Sequence, residues 1–323
     1  MKRLPILILT LLLALLIAGC GEQPGAPRAA KDGVRTVRIA YLPITHALPL
    51  FEASQTLAAA GGPVRVELIR YGSWPELMDA LNTGKVDGAS VLIELAVKAR
   101  EQGIDLTAAA LGHRDGNVII AGKGIERVED LKGKIFAIPH KQSSHKLLLD
   151  QLLAEHGMTE RDLTVVEMSP PEMPAGLAQG QIAGYCVAEP FGAKAVTLGT
   201  GHILARSEEL WPGSLCCALV FNGDFARGNH DLAQSVTAQY LAAGETLAAH
   251  PDEAAALAQK SFKAKPAVLD LSLQWISYDD LAIRPDAYDE LIRRMMDTGL
   301  IQNAPAYEDF VDPTLLPTSP ERT

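Results

Sequence analysis

"RVEDLKGKIFAIPHKQSSHKLLLDQLLAEHG", residues 127–157, decides the fold class. "RVEDLKGK" reads as a short helix. "IFAIP" is an apolar run too short for a buried helix and is assigned as a strand. "SSHKLLLDQLLAEHG" is a helix, with Ser143 or Ser144 as cap and Gly157 as terminator. A strand leading into a capped helix is the repeating unit of an α/β chain.

The same unit recurs on both sides. Upstream, "TVRIAYL" is a strand, "PLFEASQTLAAAGG" a helix closing on glycine, and "VRVELIRY" a strand. "SWPELMDALNTGK" is a short helix with Ser73 placed to cap it and Pro75 in its first turn. "GASVLI", "LTAAALG" and "NVIIAG" read as further strands. Downstream come the strand "LTVVEM", the helix "PPEMPAGLAQGQ", the strand "AGYCV", the helix "EPFGAKAVTLG" and the strands "HILARS" and "CCALVFN". From Asp231 the chain reads as nearly all helical, "AVLDLSLQWI" included. The alternation predicts βαβ units, parallel sheets and two α/β domains. "ALNTGKVDGAS" (80–90) and "GLAQGQIAGYC" (176–186) repeat one pattern of Leu, Gly, β-branched residue and Gly, an internal echo of two related units.

The N-terminus reads as a targeting segment. Lys2 and Arg3 precede the apolar run "LPILILTLLLALLIAG", which ends at Cys20. The run is short for a membrane span and suits a signal peptide. "IAGC" resembles a bacterial lipobox, which makes residues 1–20 a lipoprotein signal peptide and Cys20 the lipidated residue. Residues 21–35, rich in Gly, Pro and Ala, read as a flexible tether. The rest, about 290 residues, is enough for two domains of ordinary size. A net charge of −10 with dispersed acids argues against nucleic acid as a partner. Beyond Cys20 the cysteines are Cys186, Cys216 and Cys217, an odd set outside the cytoplasm. Cys216 and Cys217 are expected on opposite faces of a strand, without metal-site spacing, as buried free thiols; one bridge to Cys186 is left open. No cofactor and no metal site are expected.

Four segments carry a family resemblance: "IAYLPITHALPLFEA", "VEDLKGKIFAIPHKQSSHKLLLDQLLAEHGM", "GQIAGYCVAEPFGAKAV" and "ELWPGSLCCALVF". In order and spacing they resemble the periplasmic solute-binding proteins of ABC importers, in the nitrate, sulfonate and taurine branch that also includes binders of thiamine pyrimidine precursors. The resemblance covers roughly residues 36 to 300. It implies a type II periplasmic binding protein: two α/β domains joined by two hinge strands, with a helical C-terminal extension. Domain 1 would be 36–118 and 221–323, and domain 2 would be 119–220. It further implies a monomeric, non-enzymatic lipoprotein held in the cell envelope, with an ABC permease and ATPase as partners.

Open α/β sheets bind ligands beyond the carboxyl ends of their strands, where helix N-termini also point. That rule selects Thr45 and His46 after the first strand, Ser73 and Trp74 after the second, and Ser90 at the end of a buried strand. In the second unit it selects Ser143, Ser144 and His145 at a helix start, and Glu189 after "GYCV". Lys141 and Lys146 are expected in solvent. A carboxylate at Glu189 disfavours a bare anion. The solute is then a zwitterion or amine, a hydrogen-bonding heterocycle, or an anion with a cation, and protonated His46 and His145 could supply the compensating charge. An enzyme similar to the thiamine pyrimidine synthase and a ligand-sensing receptor subunit are the other readings.

Overall fold

The structure, a computed structural model, describes residues 33–317. The signal peptide, Cys20 and most of the tether lie outside these residues. The strands in chain order are β1 (Arg35–Tyr41), β2 (Val64–Arg70), β3 (Gly88–Leu92), β4 (Leu106–Leu111), β5 (Arg114–Asp115), β6 (Asn117–Gly122), β7 (Ile135–Ile138), β8 (Thr164–Glu167), β9 (Gly184–Ala188), β10 (Gly201–Arg206), β11 (Cys217–Asn222) and β12 (Ile276–Ser277). They form two five-stranded sheets, ordered β2-β1-β3-β11-β4 and β10-β6-β9-β7-β8, and a small β12-β5 ribbon.

The two large sheets are one design used twice. Written from the other edge, the second sheet is β8-β7-β9-β6-β10. β7 therefore occupies the place of β1, and β9 that of β3. The echoed segments lead into β3 and β9, so the sequence repeat marks equivalent positions. Gly84 and Gly180 end their helices at φ 68° and 71°, backbone that glycine adopts without a Cβ penalty. Gly88 and Gly184 then lie too close to Phe221 and Phe136, respectively, to carry a side chain.

The sheets are mixed, not parallel throughout. β11 runs antiparallel to β3 and β4, and β6 antiparallel to β9 and β10. These are the first long strands after each crossing between sheets. Each lies wholly within one sheet, so the crossings themselves are residues 112–116 and 207–216. The βαβ pattern predicts parallel strands only where chain continuity is kept inside one unit.

The C-terminal helices His230–Ala249, Pro251–Ser261, Pro266–Leu273 and Pro285–Asp297 follow the expected all-helical reading. The exception is Ile276–Ser277, which leaves the expected helix to pair with Arg114–Asp115 on the first crossing. This extension touches the second unit too: the Arg206 guanidinium stacks over Trp275, and Arg294 stacks over Trp211.

Candidate functional site

β1 delivers the chain into a 3₁₀ turn, Thr45–Ala47, whose side chains are all buried. The Thr45 N–H and hydroxyl both donate to the Glu189 carbonyl, at 2.9 and 3.1 Å. Tyr278 Oη donates to the Thr45 carbonyl at 2.8 Å. Thr45 is thus occupied in joining the loop after β1 to the loop after β9. Thr45→Val removes one of those donors. With a net worth of about 1 kcal/mol per hydrogen bond, it is expected to lower stability by about that amount without loss of fold, measurable by urea denaturation.

His46 Nε2 donates to the Gly116 carbonyl at 3.2 Å. A carbonyl only accepts, so Nε2 holds the proton and Nδ1 is left with its lone pair. His113, just beyond β4, repeats the device: its Nδ1 donates to the Asp115 carbonyl at 2.7 Å, leaving Nε2 bare. The two rings stack with centroids 3.4 Å apart. Cys216 Sγ lies 3.8 Å from His46 Nδ1, 3.8 Å from Asn117 Oδ1 and 3.9 Å from Cys217 Sγ. The Cys217 N–H makes a long 3.4 Å contact with His113 Nε2. One ligand atom from each of His46, His113, Cys216 and Cys217 falls within 4.8 Å of all the others, and all four residues are buried.

This corrects the expectation for the cysteines. They are free thiols, as is Cys186. They do not point to opposite faces of a strand, because Cys216 precedes β11 and strand alternation does not apply to it. Linear spacing shows no metal motif, yet folding assembles a set of residues that could hold an ion.

Burial, with His113 second, lowers the pKa of His46 to about 4, and burial also lowers that of His145. Both rings are neutral near pH 7 and do not supply the positive charge that Glu189 was expected to need. Burial opposes a thiolate at Cys216, but the contacts of Cys217, His113 and His46 outweigh it and bring that thiol well below its usual range. Burial and the Cys216 charge push Cys217 well up. Burial, then Cys216, also raises the Glu94 carboxyl well above normal.

Polar atoms without a hydrogen-bond partner among the described residues surround this cluster. They include Ser90 Oγ, both Glu94 carboxyl oxygens, Asn117 Nδ2, Ser144 Oγ, both His145 ring nitrogens and Tyr240 Oη. Buried polar groups in proteins are normally paired, so this many together call for an ion, water or solute to satisfy them. Trp74 Nε1 is also buried and unpartnered, whereas Ser73 is only half-buried and its side chain makes no capping bond. Ser143 is turned away, its Oγ donating to the His140 carbonyl at 2.6 Å. Glu189 is turned away as well. Its carboxylate accepts the Ala193 N–H at 3.1 and 3.2 Å, and burial pushes its pKa up to about 8. That bond ties it to the first turn of the following helix Phe191–Thr197, and only its backbone carbonyl meets Thr45. Lys146 is buried against Asp150 and Glu160 rather than solvated.

The structure thus brings together His46, Ser90, Ser144 and His145 of the expected residues, and adds His113, Cys216, Cys217 and Glu94. His113 and Cys216 sit on the crossings, Cys217 opens β11, and Glu94 lies two residues past β3 in the first turn of the next helix; the carboxyl-end rule applied to "LGH" and to the end of β3 reaches His113 and Glu94 but not the cysteines, which stand at a strand's start. A separate open groove of about 530 Å³ is lined by Tyr41, Pro43, Arg70, Lys194, Lys263 and Lys265 among others, and shares no side chain with the cluster.

Two equivalent sheets, two crossings and buried polar groups converging from both units define a two-domain α/β protein of the periplasmic-binding-protein class. A model of the NMT1-like family matches residues 30–261, and the chain belongs to that family. A ligand-binding component of an ABC-type import system from Staphylococcus aureus, solved with zinc bound, is 39% identical with a TM-score of 0.83, covering 87% of this chain and 97% of that one. A bicarbonate transport ATP-binding protein of Synechocystis is 32% identical over 56% of this chain and 31% of its own length. A nitrate/nitrite binding protein of Nostoc is 25% identical over 68% of this chain and 55% of its own length. The chain therefore spans about a third to about half of these two curated relatives.

Proposed function

We propose that this chain is the solute-binding component of an ABC importer, a monomer that captures one small polar solute between its domains and delivers it to a membrane permease. The domains divide at the two crossings, residues 112–116 and 207–216, a few residues before the expected bounds at 118 and 220, because β6 belongs wholly to the second sheet and β11 wholly to the first. The observation that carries this reading is the convergence of buried polar groups from both units, with Glu94 and Ser144 facing each other and neither in a well-formed hydrogen bond among the described residues. Ser90 and Glu94 come from the first, and Ser144 and His145 from the second. Groups that would lack partners when buried are satisfied by a bound solute, and that makes closure conditional on it.

The chemistry of the site narrows the solute. The groups that act on one another there are His46, His113, His145, Glu94 and the cysteines, with no lysine or arginine among them. Bicarbonate and nitrate, named for two relatives, would find no lysine or arginine among these groups, whereas a cation such as the zinc of the Staphylococcus relative would find imidazole lone pairs and a thiol that ionises readily.

Calorimetry and small-angle scattering on the mature protein test the reading. A solute that binds once per chain and compacts the particle is expected. The panel is nitrate, bicarbonate, sulfonates, amino acids, thiamine precursors and metal salts. Catalytic turnover of a bound compound would overturn the non-enzymatic role. The lipid anchor is tested apart from this: Cys20→Ser is expected to abolish incorporation of labelled lipid, and labelling of that variant at the wild-type level would remove the anchor assignment.

A further inference from the structure

We infer that His46, His113, Cys216 and Cys217 form a four-coordinate site for a thiophilic d¹⁰ cation, Zn(II) or Cu(I). That this ion is the solute enclosed by the two domains rests on the importer reading above; the site itself rests on the geometry that follows.

The spacing fits first. With Zn–S near 2.3 Å and Zn–N near 2.0–2.1 Å, tetrahedral ligand atoms stand about 3.3–3.8 Å apart. The separations of 3.8 Å (Cys216 Sγ to His46 Nδ1) and 3.9 Å (Sγ to Sγ) are within a few tenths of an ångström of this, and no pair exceeds 4.8 Å. Drawing the set onto an ion takes side-chain movement of about 1 Å at most.

The orientation fits as well. A metal-binding imidazole normally donates its other N–H to a carbonyl or carboxylate, which fixes the tautomer. Both rings do so: His46 to the Gly116 carbonyl and His113 to the Asp115 carbonyl, which leaves the His46 Nδ1 lone pair beside Cys216 Sγ and the His113 Nε2 lone pair held only by a long 3.4 Å bond from the Cys217 N–H, which an ion would replace. A structural histidine pair has no need of two matched backbone carbonyl acceptors on one short loop.

The donor set selects the ion. Two sulfurs and two imidazole nitrogens are soft to borderline ligands. Mg(II) and Ca(II) ask for oxygens and six or more positions. Two thiolates neutralise Zn(II), and binding releases the thiol protons. All four positions come from the protein and all four residues are buried, the closed arrangement of an ion held rather than one that activates water.

The donors also lie where the two units meet. His113 stands on the first crossing and Cys216 on the second. His46 belongs to the loop that Thr45 ties to Glu189. An ion joining these segments fixes the crossings relative to β1, so its binding is coupled to how the units close.

The test uses the mature chain, reduced and stripped by chelator dialysis. Zn(II) is assayed against a chromogenic chelator, Cu(I) against bathocuproine disulfonate, and Co(II) by its visible spectrum. The expected result is one equivalent of Zn(II) or Cu(I) bound with a Kd below about 10 nM. Co(II) should show thiolate charge-transfer and intense tetrahedral bands. Cys216→Ala and Cys217→Ala should each weaken binding at least about 100-fold, and Cys186→Ser should change it less than twofold. Circular dichroism checks that each variant folds, and the Co(II) spectrum of the wild type reports thiolate ligation and tetrahedral geometry even if one does not. Absence of stoichiometric binding, cysteine variants that bind like wild type, or equal affinity for Mg(II) would overturn the site. If an organic or anionic solute compacts the particle while neither metal binds, this site fails and the importer reading stands. If the metal binds through the cysteines but nothing compacts the particle, the site stands and the importer reading fails.

Discussion

Gly192→Ala is expected to lower stability by about 3 kcal/mol, with a fall in Tm of roughly 6–12 °C. Gly192 lies in the first turn of helix Phe191–Thr197, packed on β6. A Cβ there would fall well inside contact distance of Val118 Cγ2 and Glu189 Oε1. Val118 is a fully buried strand residue in β6 and Glu189 is held by the Ala193 N–H, so neither gives way cheaply. The intrinsic helix preference of alanine over glycine offsets about 1 kcal/mol of the strain. Adding Val118→Ala should restore part of the loss, a coupling that a double-mutant cycle reads directly. Additive losses from the two substitutions would show that the overlap is relieved elsewhere.

Glu189→Gln is expected to make the protein more stable at pH 8 by about 3–4 kcal/mol and to leave it nearly unchanged near pH 4.5. The Glu189 carboxyl titrates near 8 instead of 4.5, with burial the principal cause and the Ala193 N–H opposing it. Its folded pKa is raised, so between those values the unfolded chain gives up the proton first and the native state keeps it. Stability from this group is full below about 4.5 and falls by about 1.4 kcal/mol per pH unit on the way to 8. Glutamine keeps an acceptor oxygen for Ala193 and cannot ionise. Glu94 shifts in the same direction, so some downward slope should remain in the variant. Urea denaturation from pH 5 to 8 checks this, and parallel wild-type and variant curves would mean that Glu189 is solvated and titrates normally.

Much of the molecule was legible in local patterns. The strand-to-helix alternation, the glycine stops at Gly84 and Gly180 and the echo before β3 and β9 depend on residues close in sequence, because caps, turns and alternation are short-range. Thr45, His46, Ser144 and His145 were reachable for the same reason: strand ends and helix starts are local features, and the topology puts them on one side of a sheet.

Reading a residue's place did not give its partner. Glu189 stands at a strand end as expected, yet its side chain is used by Ala193, and only its backbone carbonyl reaches Thr45. The same local rule was consistent with either use of the carboxylate. Cys216 was read as part of a strand whose alternation would separate it from Cys217; the strand begins one residue later, and the thiols come to 3.9 Å.

The sequence by itself determined two α/β units, their order and the strand-end positions from which a site is built, since hydrophobic period and glycine placement act over a few residues. Only the tertiary structure decided that His46, His113, Cys216 and Cys217 meet. They come from three segments more than 60 residues apart or on opposite sides of the second unit, with His46 and Gly116 separated by 70 positions and His46 and Cys216 by 170. Their proximity depends on where two crossings place the chain, and no pattern confined to neighbouring residues encodes that.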